Sequence, residues 1–250
     1  MVDERTSPPQ ERAIRGLTWA IRGLIGFLGV ALATAAVLVA FIPLYDLPSP
    51  SHAETLRLED GLLVLSWVLL ALGVASGLVY AVGLAGLYGN RRELGTEHAK
   101  SVEQTVPWLA VTMVLLAAGI LIPSPTGPFL TFPGIGPTPP DWAGSLSVVL
   151  AGLRAIFAGL TLYYAVQGLA MEDARVRLLI GMSLGVAGAV LWTGLATFAA
   201  GAGVLSVDSL LPFLAGIVAG LGTSAISIAL FIAVYREIRD GLVEGRRPGA

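Results

Sequence analysis

One side chain in this chain sits where charge is expensive. Arg154 lies within the apolar run 143–170 (AGSLSVVLAGLRAIFAGLTLYYAVQGLA) and is the only charge well inside any hydrophobic stretch. Placing a guanidinium at the centre of a bilayer costs about 2.5–3.5 kcal/mol on insertion scales, so such residues usually have a use. Arg154 is therefore the candidate functional, anion-contacting residue: an anion site, or one half of a gating pair facing a bundle interior. A bland reading competes. The run is longer than the ~20 residues that span hydrocarbon. If the membrane core starts near residue 151, Arg154 approaches the outer interface and snorkels to water. Asp141, Asp208, Glu59 and Asp60 lie near outer ends and could meet it there.

A second polar feature is the cluster Thr223, Ser224 and Ser227 in the last apolar run. It could line a polar path, but hydroxyls in membrane helices commonly bond backbone carbonyls or neighbouring helices. Ser66, Ser76, Ser147 and Ser183 also fall in apolar runs, and no histidine or lysine shares a run with any of these serines. The 17 acidic residues lie in tails, loops or span ends, so no buried carboxylate relay is expected. His52 and His98 are the only histidines and neither falls within a span, which argues against a haem held by two histidines or an intramembrane metal. Glu97 and His98 are adjacent, do not share a helix face, and read as a solvated loop. There is no cysteine, hence no disulfide, thiolate ligand or cysteine nucleophile. No phosphate-binding glycine motif is present, so an ATP-driven assembly would need its ATPase on another chain. No catalytic residue, cofactor or metal is expected, and the chain reads as non-enzymatic.

What must position these groups is a set of membrane helices. Hydrophobic residues make up 55% of the chain and charged ones 13%, against about 25% charged in a soluble domain. Apolar runs occupy 23–44, 61–88, 106–122, 143–170, 178–204 and 210–235. Five exceed the length needed to span. The third is short and reaches it only if a helix continues back through 96–105 across Pro107, where a kink is expected. The predicted fold is all-α: a polytopic integral membrane protein with a six-helix transmembrane domain over 17–235, an N-terminal tail 1–16 and a C-terminal tail 236–250. A signal-peptide reading of the first run is disfavoured because the run is too long for a typical apolar core of 7–15 residues.

Orientation follows from the basic residues. Arg5, Arg12, Arg15 and Arg22 precede the first span; Arg91, Arg92 and Lys100 follow the second. Arg175 and Arg177 follow the fourth, and Arg236, Arg239, Arg246 and Arg247 follow the sixth. Of 15 basic residues only Arg57 and Arg154 fall elsewhere. Lysine and arginine in short loops mark the cytoplasmic side, so both termini are expected there, and the alternation holds only for an even span count. Trp19, Tyr88, Trp108 and Tyr235 fall at predicted inner ends and Tyr45 and Trp142 at outer ends, as interfacial aromatics do. Trp67 and Trp192 lie deeper and read as packing residues.

Small residues four apart suggest where helices touch: Gly73/Gly77, Gly181/Gly185 and Gly216/Gly220 are the candidate helix-packing pairs. The loop 123–142 holds seven prolines and three glycines and no basic residue; it is expected to fold over the outer helix ends as a structural cap or a lid. A short match between 81–85 (AVGLA) and 165–170 (AVQGLA) hints at a repeated hairpin, spans two–three and four–five. The loop 89–105 (GNRRELGTEHAKSVEQT) has capping-box spacing from Ser101 to Gln104 and reads as a surface helix or connector that could dock anionic headgroups or a partner.

At Arg91, Glu93, Gly95, Glu97 and His98 this loop resembles a turn found in a loose group of archaeal multi-spanning membrane proteins of unknown function. The resemblance covers that loop alone. It suggests an archaeal source and implies no activity and no site residues. The expected role is a non-enzymatic accessory or structural membrane subunit, the alternative a transport component such as a permease or substrate-binding subunit. The bilayer is the expected partner, with other membrane subunits or a cytoplasmic ATPase beside it. Net charge of −2 gives no reason to expect nucleic acid.

Overall fold

A computed structural model describes residues 8–41, 52–121, 141–202 and 207–244. Those residues form six α-helices and one short 3-10 turn. The helices are α1 (Pro8–Phe41), α2 (His52–Gly89), α3 (Thr96–Leu121), α4 (Asp141–Val166), α5 (Glu172–Ala202) and α6 (Val207–Val243), with the 3-10 turn Gln167–Leu169 between α4 and α5. Alanine- and leucine-rich runs take this form because a helix satisfies its own backbone polar groups, which hydrocarbon cannot do. Five of the helices contain segments long and apolar enough to cross a membrane: Gln10–Val37, Trp67–Gly89, Ser145–Leu169, Glu172–Leu195 and Val218–Val243. The exterior agrees in character. Leu32, Val64, Leu78, Val114, Val149 and Ile226 all point outward and are more than half exposed, a surface suited to lipid tails.

The helices pack in the ring order α2–α1–α6–α5–α4–α3, with the tightest pairings α1 on α2 and α5 on α6; α2 and α3 barely touch and leave a seam. Expected sequence repetition of the hairpins is therefore not matched in packing, since the α4–α5 pair is extensive and the α2–α3 pair is not. The start of α1, the α2–α3 turn, the start of α5 and the end of α6 meet at one end of the bundle, which carries most of the arginines and is called the basic end below. Arg12 Nη1 donates to Asn90 Oδ1 at 3.5 Å, Arg91 pairs with Glu103 at 3.1 Å, and Arg177 pairs with Glu237 at 2.5 Å.

The core lies toward this end, and helix reaches into both expected tail segments. Residues 8–16 belong to α1, whose first turn takes Pro8 and Pro9 where a missing N–H costs nothing. Ala13, Leu17, Ala20 and Leu24 then form one fully buried stripe at helical spacing. Likewise 236–243 continues α6, with Ile238 and Leu242 buried. Helix α3 does run through Pro107 without a break from Thr96, so the stretch 96–105 is the beginning of that helix. The proline-rich loop lies outside the described residues, apart from the start of α4.

Candidate functional site

At the basic end three helix termini are clamped together. The first turn of α3 packs under the 3-10 turn, because Gly168 lacks a side chain: a Cβ there would sit 2.6 Å from His98 N and 2.8 Å from Glu97 C. Ser101 Oγ donates to Tyr164 O at 2.6 Å, tying α3 to α4. Arg175, at the start of α5, donates its Nε to Gln167 O and Ala170 O, each at 3.1 Å, and its Nη2 lies 3.5 Å from Glu97 Oε2. These carbonyls lie where the preceding helix ends and intrahelical donors run out; Gln167 O also accepts from the Ala170 N–H at 3.2 Å. Gly95, with φ of +116°, turns the chain into α3, a conformation that glycine adopts without a steric penalty.

His98 is sealed by this clamp. It is 0% exposed, and neither ring nitrogen has a hydrogen-bond partner among the described residues. That corrects the solvated-loop expectation for Glu97/His98: Glu97 stays on the surface while His98 fills the space that Gly168 leaves. Burial pushes the imidazole down to about 4, because the charged form loses its water; the Leu87 carbonyl acts weakly in the other direction without reaching hydrogen-bond geometry.

Deeper in the bundle Tyr80 of α2 and Tyr235 of α6 meet through their hydroxyls at 2.9 Å, and Tyr235 Oη also lies 2.8 Å from Leu162 O of α4. A carbonyl only accepts, so the Tyr235 proton goes to Leu162 and Tyr80 is the donor to Tyr235. Tyr235 is 0% exposed and Phe231 1%. Tyr235 was expected at the interface; it is instead the centre of the bundle, because α6 extends two further turns beyond it. Trp108, also expected at the interface, stacks on Phe157 of α4 at 5.5 Å, with its indole N–H buried and unpartnered. Tyr88 and Trp142 do face outward, and so does Trp67, which was expected to pack inside.

The residues singled out by sequence are dispersed. Arg154 is half-buried on α4 and its Nε donates to Leu150 O of its own helix at 3.3 Å. Among the described residues no carboxylate pairs with it; the side chains of Asp141, Asp208, Glu59 and Asp60 lie outside them. Arg154 stands about 14 Å along the helix from Ser145, where its apolar segment begins, at 1.5 Å per residue. The hydroxyls of Thr223, Ser224 and Ser227 all donate to backbone: to Ala219 O, Gly220 O and Gly181 O respectively. Ser227 bonds across to α5 and Ser224 lies against Gly188, so these two side chains pack α6 on α5, while the Thr223 bond stays within α6.

The glycine pairs divide in the same way. Gly181 and Gly185 lie against Phe231 and Ser227, while Gly216 and Gly220 lie against Leu195 and the backbone of Trp192. Gly73 faces open space and Gly77 meets only the Phe27 ring at 3.6 Å. The close α1–α2 approach occurs two turns on, at Gly83 against Gly16 O (2.7 Å to an added Cβ). Gly73 shares the face of α2 that carries Tyr80, seven residues on, but α1 is not close at its level, and spacing within one helix carries no information about where along it a neighbour comes close.

The seam between α2 and α3 is a cleft of about 220 Å³ lined by Ala81, Leu84, Ala85, Tyr88, Val102, Thr105, Val106 and Leu109. Sequence reasoning did not find it, since it arises from the failure of two successive helices to pack. Compared with known proteins, the chain matches no family model, no curated protein and no solved structure.

Proposed function

We propose that this chain is a six-span integral membrane protein, with both termini cytoplasmic, that serves as a non-enzymatic accessory or structural subunit of a membrane assembly. In this reading α3 is the sixth span. Its apolar part is short, and the continuous helix through Pro107 supplies the missing length. The basic end then faces the cytoplasm, as the short-loop arginines favour. The observation that carries the functional reading is the Tyr80–Tyr235–Leu162 network. It occupies the middle of the bundle with side chains whose polar groups satisfy one another, which suits a rigid scaffold and leaves no reactive pair poised against a substrate.

A transport component is the second reading, and Arg154 favours it: a half-buried cation whose described contact is a carbonyl of its own helix would hold an anion crossing near α4. The test is purification in mild detergent from the native membrane. Stoichiometric recovery with other membrane subunits supports the accessory role. Recovery with an ATPase, together with loss of substrate movement in Arg154→Ala, replaces it with the transport role, and recovery alone sinks both. Topology is tested separately by single cysteines in a chain that has none: Lys100→Cys and Gly241→Cys must react with impermeant maleimide only when the cytoplasmic face is open.

A further inference from the structure

We infer that the α2–α3 cleft is a binding site for a single membrane phospholipid, with one hydrocarbon chain between the helices, a glycerol-linkage oxygen at Thr105 and the phosphate at Arg91 and Arg92. It requires the basic end to lie at a headgroup layer, and it is independent of whether the chain is an accessory subunit. The volume comes first. About 220 Å³ is less than the roughly 300–1,000 Å³ of pockets for compact drug-sized ligands, and a flexible chain entering sideways from the bilayer fits what a ring system does not. The floor is apolar and buried, at Leu84 and Val102, while Ala85 and Val106 at the lips are exposed.

Thr105 is the informative residue. It is 4% exposed and lines the cleft, and its hydroxyl has no partner among the described residues. Thr18, Thr34, Thr112, Thr161 and Thr223 all donate to the carbonyl one turn back in their own helices. Thr105 forgoes that bond in an apolar cleft, where an unmatched hydroxyl is costly. An ester or ether oxygen of a lipid supplies the acceptor.

The mouth carries the complementary charge. Tyr88 lines the cleft, and the Arg91 guanidinium lies 4.0 Å from its ring centroid. Arg91 is held there by Glu103 Oε1 at 3.1 Å and Tyr88 O at 3.0 Å. Arg92 beside it is exposed and has no ion pair among the described residues. Thr105 stands about 3 Å further along α3 than Glu103, at 1.5 Å rise per residue, so the hydroxyl lies just below the arginines, where linkage oxygens lie below a phosphate. Arginine and an aromatic ring at that level are the ordinary interfacial pair.

The test uses the full chain reconstituted in vesicles of equal parts phosphatidylglycerol and phosphatidylcholine, then released gently and weighed by native mass spectrometry. The wild type should retain one phospholipid. Ala81→Leu, which fills the cleft, should abolish retention. Thr105→Val, which keeps the shape and removes the hydroxyl, should lower it roughly three- to twenty-fold, the range of one membrane hydrogen bond. Arg92→Gln should lose the preference for phosphatidylglycerol. Circular dichroism melts show whether each variant is folded, and a photoreactive residue at Ala85 in native membranes identifies the neighbour directly. A wild type without phospholipid, folded variants that retain it unchanged, or an adduct to a protein instead of a lipid would each overturn the inference.

Discussion

Removing the Tyr235 hydroxyl should cost more than removing that of Tyr80, and the two losses should not add. Tyr80 donates to Tyr235 at 2.9 Å and Tyr235 donates to Leu162 O at 2.8 Å. Tyr80→Phe deletes one bond and strands no donor, so it should cost about 0.6–1.7 kcal/mol, from the mean to the largest value measured for hydrogen bonds in a membrane protein. Tyr235→Phe deletes both bonds and strands the Tyr80 O–H, which is 6% exposed. An unsatisfied buried donor adds about 1–3 kcal/mol, which with the two lost bonds brings the total to about 2–6 kcal/mol. Tyr80→Phe made on top of Tyr235→Phe then removes the stranded donor. It should stabilise that background by about 1 kcal/mol or more, the reverse of its effect on the wild type. Reversible unfolding by dodecyl sulfate in mixed micelles, followed by tryptophan fluorescence, measures all four species. Equal costs for Tyr80→Phe in both backgrounds would refute the assigned proton direction and the isolation of the pair.

The clamp at the basic end is equally exposed to test. Gly168→Ala drives a methyl into the His98 and Glu97 backbone; overpacking of about 1–3 kcal/mol should lower the melting midpoint and open the turn before Thr96 to protease. His98 should make stability depend on pH. Its folded value is about 4 against 6.5 for the free side chain, so as pH falls below about 6.5 the unfolded chain takes up a proton that the native chain refuses. Stability declines across that window and levels off near pH 4, by about 3 kcal/mol at most at 1.36 kcal/mol per pH unit. His98→Gln should flatten the profile in equilibrium unfolding, and an unchanged slope would assign it to other groups. Ser227→Ala loses the 2.6 Å bond to Gly181 O between helices and should cost about 0.6–1.7 kcal/mol. Ser224→Ala, whose bond stays within α6, should cost less in the same unfolding series.

Composition and run length determined the class of this molecule. Burying this much apolar surface on long uncharged segments permits only helices in or against lipid, and the arginines that cannot enter hydrocarbon mark the segment ends. Those inferences concern single segments and their solvent. What the tertiary structure decided concerns pairs. Where along α2 the first helix comes close, at Gly83 and not at Gly73, depends on how one helix crosses another. So does the burial of His98 beneath Gly168, residues 70 positions apart that neither local pattern connects. Tyr235 reads as interfacial because a ring near a charged loop usually is; extra helical turns beyond the apolar run moved the core past the expected boundary and enclosed it. Arg154 stood out in sequence because charge is conspicuous in an apolar run. The α2–α3 cleft was silent there, since a gap is a relation between two surfaces and no residue type spells it.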